Sequence, residues 1–357
     1  MLARGLPAGD PMSKRSLQNA VVVVTGASSG IGRAAALAFA NRGARVVVAA
    51  RREEPLDSLI AECERINGQS ALAVVADVAD DVQVQRLADR AVQRFGGIDV
   101  WVNNAGVYAA AAFEDMPPDV FRRLMEVNFF GVVNGARVAL PHLKRRHGVL
   151  INTASVDSAA TFPYFSAYVA SKWAVRGFSS SLRQELRDED VDVCTILPAS
   201  IDTPLFQHAA NYMGRKMKAL NPTYDAEQVA QAMVRCAERG GPREVIVGWA
   251  GKVMALQYTL MPGLAERAYK KLAEIDHFEP DTPARATDGN VLRPMPEGVS
   301  ISGGWKDANG HGLPGAALAA AAAVGVPLVG WLLVRRRAAQ RTPTQRLLAP
   351  ALSRLNT

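Results

Sequence analysis

Residues 21–32 read VVVVTGASSGIG, and the order of their parts sets the fold. Four valines make a short apolar run without polar alternation, which predicts a strand covered on both faces. A turn holding Gly26, Gly30 and Gly32 follows, and it opens a helix-period segment from Gly30 to Arg42. Glycines there permit a tight turn and a close backbone approach, while the start of the helix offers free N–H groups and a partial positive charge. These features suit the pyrophosphate of a dinucleotide. Close packing of helix on strand accounts for Gly32 by itself, but not for all three glycines.

The same alternation continues outward along the chain. Val- and Ile-rich runs predict further strands at 45–49, 71–75, 99–102, 149–153, 191–197 and 244–248, with helical segments between them, among them Asp81 to Phe95. Seven strands with helical crossovers predict an α/β fold, a doubly wound parallel sheet of the Rossmann-like kind. Ligands of such sheets bind beyond the carboxyl ends of the strands. After Trp249 the alternation stops, and Gly251 to Ile275 predicts a helix interrupted at Pro262-Gly263. The expected organisation is a flexible start at 1–18, a catalytic domain at 19–278, an extended Pro/Gly/Asp/Thr-rich linker at 279–312, an apolar helix at 313–334 and a basic tail at 335–357.

Composition narrows the function classes. A chain of 357 residues that is 49% hydrophobic and 21% charged has a substantial core and is not disordered. Its net charge of +7 comes from the tail, where six arginines and no acids follow Val334, leaving 35 basic against 34 acidic residues before it. A neutral body lacks the basic stripe that binds phosphate backbones, so no nucleic-acid partner is expected. Cys63, Cys194 and Cys236 lie far apart and give no metal spacing, so no metal is expected and reduced structural thiols are. The opening MLARGLPAGDPMSKRSLQ holds no apolar stretch of a secretory signal, which places the body in the cytosol; Met12 is an alternative start to Met1.

Chemistry-bearing residues cluster at predicted strand ends. After the second strand the chain reads VVVAARRE, with Ala50 where a carboxylate would bind a ribose 2′-hydroxyl and with Arg51 and Arg52 next. Missing acid and present guanidinium favour NADP(H), Arg51 being the stronger candidate for a 2′-phosphate. Asp77, after the third strand, suits the adenine amino group or a turn cap. Asn103-Asn104-Ala105-Gly106 follows the fourth strand and suits a cofactor wall. In INTASVDSAATFPYFSAYVASKWAV, Tyr168 and Lys172 are spaced i, i+4 on one helix face, so the ammonium favours the phenolate of an otherwise poor proton shuttle. Ser155 ends the fifth strand and faces a substrate oxygen; Tyr164 lacks such a lysine and is at most a lining residue.

Together these motifs resemble the short-chain dehydrogenase/reductase family in its ordinary single-domain form, over roughly residues 19–250. The resemblance rests on the order of TGASSGIG, NNAG, Asn128 in VNFFG, Ser155 and YVASK. It implies carbonyl–alcohol redox chemistry by Ser155, Tyr168 and Lys172, with Asn128 supporting a proton relay. It also implies cofactor contacts from Ser28, Ser29, Ile31, Val78, Asn104, Ala105 and Gly106, and from Pro198, Ile201 and Thr203, besides Tyr168 and Lys172. A homodimer or tetramer is the family's usual assembly. One departure is PASIDTP, where Ala199 stands in place of the family's glycine and must avoid positive φ. The long carboxyl-terminal extension is the other.

The function expected is an NADP(H)-dependent oxidoreductase, with an epimerase or dehydratase on the same fold and a non-catalytic nicotinamide-binding membrane scaffold as alternatives. Phe162, Phe165, Phe206, Tyr212, Met213 and Met217 suggest an apolar pocket for a lipophilic carbonyl, or simple packing of a lid. Leu313 to Val334 is uncharged over twenty-two residues, about 33 Å as a helix, long enough for a hydrocarbon core of about 30 Å. The expectation is a cytoplasmic body held at a membrane face, with lipid as a partner of this segment. Arg335, Arg336, Arg337 and Arg341 then conflict with a single simple span, since positive flanks also favour the cytosolic side.

Overall fold

The structure, a computed structural model, describes residues 15–306 apart from 69–70 and 241–243. Seven parallel strands form its central sheet: β1 (Val21–Thr25), β2 (Arg45–Ala50), β3 (Leu72–Val75), β4 (Val100–Asn103), β5 (Val149–Thr153), β6 (Asp192–Pro198) and β7 (Glu244–Val247). Their order across the sheet is β7-β6-β5-β4-β1-β2-β3, so direction of winding reverses between β1 and β4. Ligand crevices in doubly wound sheets form at such a reversal. The expected fold class is therefore present, with strand boundaries shifted by a residue or so.

Alternate valines of β1 explain the two layers. Val21 and Val23 pack with α3 (Asp81–Phe95), α4 (Pro118–Met125), α5 (Gly131–Arg146) and α6 (Ser166–Glu185) on one face. Val22 and Val24 pack with α1 (Gly30–Ala40), α2 (Glu54–Asn67) and α7 (Ala226–Arg239) on the other. All four are at most 2% exposed, as a strand covered on both faces requires. Asp80 caps α3 by accepting from the Gln83 N–H, and Gly96 ends it at φ 81°. After β7 come α8 (Trp249–Leu260) and α9 (Pro262–Asp276), divided ahead of Pro262, which lacks an N–H to continue the ladder.

Two boundaries expected from composition are corrected. Residues 15–18 are not a free end: Arg15 pairs with Asp192 at 2.6 Å and Leu17 is buried. The supposed linker, as far as residue 306, folds back on the domain. Phe278–Pro283 pairs antiparallel with Arg215–Met217, and Val291 and Trp305 are buried. Composition misled because much of this segment's attachment runs through main-chain carbonyls, which any residue supplies. The expected apolar helix at 313–334 and the tail at 335–357 lie outside the described residues; within them no helix is long and apolar enough to cross a membrane.

Candidate active site

One cleft crosses the carboxyl ends of the strands and gathers nearly every residue expected there. At its centre the glycine turn meets the NNAG turn. Gly26 has φ 66°, and a Cβ on it would lie 2.6 Å from the Ala105 Cα, so no side chain fits. Thr25 ties the two turns together: its Oγ1 accepts from the N–H groups of Asn104 (3.0 Å) and Ala105 (3.2 Å). Gly26, Ser28, Ser29, Gly30, Ile31, Asn104, Ala105 and Gly106 all line the cleft. Gly32 does not; a Cβ there would meet the Gly26 carbonyl at 2.2 Å, so this glycine serves packing beneath the turn rather than the cleft itself.

At the nucleotide end, Arg51, Arg52, Asp77 and Val78 line the cleft. None of the three charged groups is idle. The Asp77 carboxylate pairs with Arg123 and accepts from the Ala79 N–H at 3.0 Å, which makes it a turn cap as well as a wall. Arg51 donates through Nη2 to the Asn290 carbonyl at 2.6 Å. Arg52 donates through Nη1 to the carbonyls of Met295 (2.9 Å) and Glu297 (2.7 Å), and through Nη2 to Ser28 Oγ at 3.3 Å. The Gly30 N–H donates to the Ser300 carbonyl at 3.0 Å, and Asp202 accepts from Ser302, Gly303 and Trp305. Residues 290–305 thus form a strap along the rim of this end.

At the other end stand Ser155, Tyr168 and Lys172, all buried. Ser155 lies two residues beyond β5 and begins a short turn, and its Oγ accepts from the Asp157 N–H at 3.1 Å. On α6, the i, i+4 spacing places the Lys172 Nζ 5.6 Å from the Tyr168 ring centre, where it donates to the Thr153 carbonyl at 2.9 Å. Burial pulls the Lys172 ammonium down to about 8, with the Asp157 charge opposing. Burial, then the charge of Asp157, pushes the Tyr168 phenol above its ordinary value, while a hydrogen bond from Ser155 opposes them. Lys172 is not among the groups that move this phenol, so the expected lowering by lysine is not seen in the protein alone, where burial keeps the proton on Tyr168. Asn128 is fully engaged, accepting from the Val107 N–H at 2.8 Å and donating to the Val107 carbonyl and to Ser171.

The cleft beside this cluster is largely apolar, lined by Tyr108, Phe162, Leu205, Phe206, Leu220, Met254 and Leu272. Phe165 packs beneath Tyr108, whereas Tyr212, Met213 and Met217 of the expected lid, and Tyr164, lie away from the cleft. Tyr164 instead donates to Glu274 at 2.8 Å. Sequence reasoning missed Tyr108, Asp157 and His277. Burial lowers His277 to about 4, so it is neutral; with Nδ1 bonded to the Lys218 carbonyl at 2.6 Å, its Nε2 takes the Tyr108 hydroxyl at 3.3 Å. Asp157 carried a signal, its place two residues after Ser155.

Pro198, Ile201 and Thr203 also line the cleft. Ala199 keeps an ordinary φ, and its methyl fits because Gly248 and Gly251 face it without side chains.

Comparison with known proteins agrees with this geometry. The short chain dehydrogenase family model matches residues 20–213. The chain is 37% identical over 263 residues to the uncharacterized oxidoreductase YxnA of Bacillus subtilis, covering 72% of this chain and 73% of that one. It is 34% identical over 270 residues to dehydrogenase/reductase SDR family member 7B of Bos taurus, covering 71% and 83%. Among solved structures it is similar to the alcohol dehydrogenase of the archaeon Thermococcus sibiricus complexed with 5-hydroxy-NADP, with a TM-score of 0.56 and 30% identity, over 64% of this chain and 95% of that one. A glycine turn at the sheet's reversal point, a Ser–Tyr–Lys cluster across the cleft and these relatives together make the chain an oxidoreductase belonging to the short-chain dehydrogenase/reductase family.

Proposed function

We propose that this oxidoreductase interconverts a carbonyl and an alcohol by hydride transfer, with NADP(H) as its cofactor and a lipophilic compound as its substrate. The observation that carries the reading is the single cleft, in which two arginines mark one end and Ser155, Tyr168 and Lys172 the other. Its residues fit a dinucleotide: the Gly26–Ala105 approach leaves a bare backbone surface midway between those ends, as a pyrophosphate needs. Two guanidinium groups at this end of the cleft, that of Arg52 bonded to Ser28, with Ala50 in place of an acid, favour a 2′-phosphate over a free 2′-hydroxyl. The similar archaeal enzyme, bound to 5-hydroxy-NADP, supports the same choice.

The nicotinamide, when bound, supplies or takes up the hydride. Ser155 orients the reacting oxygen by hydrogen bonding. Tyr168, protonated because burial disfavours its phenolate, donates its proton to that oxygen during reduction. Lys172 is cationic at neutral pH and holds the ribose beside Tyr168. Asn128 fixes the backbone at Val107 and supports the return of the proton. The aromatic and aliphatic lining excludes water and favours an apolar substrate body. NADPH oxidation measured against a panel from sugars to long-chain ketones tests this: turnover concentrated on apolar carbonyls supports it, and activity confined to small polar ones refutes the lipophilic part.

Assembly and location belong to the same reading. Phe130 and Trp173, 52% and 41% exposed beside α5 and on α6, support a homo-oligomeric face, and a monomer by light scattering refutes it. The uncharged run 313–334 supports attachment to a membrane face. Fractionation of the full chain against a chain ending at Gly312 decides: equal solubility without detergent removes the anchor.

A further inference from the structure

Apart from Asp77 at the nucleotide end, Asp157 is the one carboxylate among the residues described along the cleft. It sits on the short turn Val156–Ser158 directly after Ser155, half-buried, and no ion pair within the described residues involves it. The groups facing it are few. The Asp157 N–H donates to Ser155 Oγ at 3.1 Å, the Ser155 hydroxyl and the Lys172 ammonium both favour the ionised carboxyl, and its charge raises the phenols of Tyr108 and Tyr168. His277 gives it nothing, being neutral and engaged with Lys218 and Tyr108.

Ser155 holds a single hydroxyl proton. That proton serves the Asp157 carboxylate, the Tyr168 phenol oxygen or the reacting oxygen, one at a time. When Ser155 turns to the substrate, the carboxylate is left without a donor in a largely apolar cavity, which is costly unless the substrate supplies one. A hydroxyl group can. An ammonium group fits less well, because the Lys172 cation already stands on this side. Asp157 follows Ser155 by two residues and lines the same cleft, so a donor near the reacting carbonyl carbon is the one within its reach.

We propose that Asp157 is a specificity-determining residue whose carboxylate accepts a hydrogen bond from a substrate hydroxyl, and that the substrate class is apolar ketones or aldehydes bearing a hydroxyl next to the carbonyl. This rests on the carbonyl–alcohol reading above. A matched pair tests it: NADPH-linked reduction of 1-hydroxy-2-octanone and of 2-octanone by the full chain. The wild-type protein favours the hydroxyketone in kcat/KM by roughly 10- to 100-fold, as a bond to a charged acceptor implies. Asp157→Leu brings the ratio close to one, lowering the hydroxyketone rate and raising the plain-ketone rate. Asp157→Asn, which keeps the shape and one acceptor oxygen, falls between and covers a failure of the leucine variant to fold. A wild-type ratio near one, or a ratio that both variants leave intact, overturns the assignment while the carbonyl reading stands. No turnover of either ketone overturns both.

Discussion

Replacing Arg51 by alanine should weaken NADPH binding about tenfold and leave NADH within about twofold. The magnitude follows from what the guanidinium already does. Its Nη2 donates to the Asn290 carbonyl at 2.6 Å, so a 2′-phosphate does not meet a free cation but replaces a neutral acceptor with a charged one. Hydrogen bonds between a charged and a polar group contribute about 1.5 kcal/mol at the lower end, and well-made ionic ones about 3 kcal/mol. The difference, about 1.5 kcal/mol, corresponds to roughly a tenfold change in affinity. NADH offers no such exchange. The strap itself should stay in place in the variant, because Arg52 still holds the carbonyls of Met295 and Glu297 and Asp202 still holds residues 302–305. Titration of each nucleotide by its fluorescence gives both constants. Equal weakening of the two cofactors would remove Arg51 from the phosphate site, and a loss above a hundredfold would show that the Asn290 contact does not compete with the phosphate.

Three further outcomes follow from the geometry. Tyr168→Phe should fold and bind NADPH normally yet lose roughly 10²- to 10⁴-fold in kcat, the usual contribution of a positioned general acid, so near wild-type turnover removes its role. Asp157→Asn should melt higher than wild type above pH 7: burial raises the Asp157 carboxyl to about 7, so its ionised form destabilises the fold fully above that pH. That penalty fades as pH falls toward the unfolded-state value near ~3.9, and melting curves that differ equally at pH 4 and pH 8 would contradict the linkage. Gly248→Ala should cost roughly 1–3 kcal/mol in stability, since Gly248 has φ 102° and an added Cβ would lie 2.6 Å from Tyr224 and 2.9 Å from the Ala199 methyl; an unchanged denaturation midpoint refutes that packing.

Where a residue type is itself the signal, the sequence could be read. Valines of β1 are apolar on both faces because both faces are covered, and the i, i+4 spacing of Tyr168 and Lys172 survives into α6 because a helix keeps that spacing whatever surrounds it. Charge effects were less legible. The lysine was expected to lower its neighbour's phenol, but how much water either group loses depends on Tyr108, beyond β4, and on Thr153 and Asp157, at and just after the end of β5.

The strap was illegible for a different reason. Arg51, Arg52 and Gly30 bind it through the carbonyls of residues 290 to 300, and a carbonyl is common to every residue, so a Pro- and Gly-rich stretch with few apolar side chains reads as a spacer. Only Val291 and Trp305 betray its burial, too few and too far apart to form a period. Ala199 shows the same limit in reverse. Alone it looks like the loss of a needed glycine, yet the space its methyl takes is given up by Gly248 and Gly251, some fifty residues later. Freedom from side chains at this corner of the cleft is therefore shared between β6 and the start of α8, and the corner's shape belongs to the pair of segments rather than to either one.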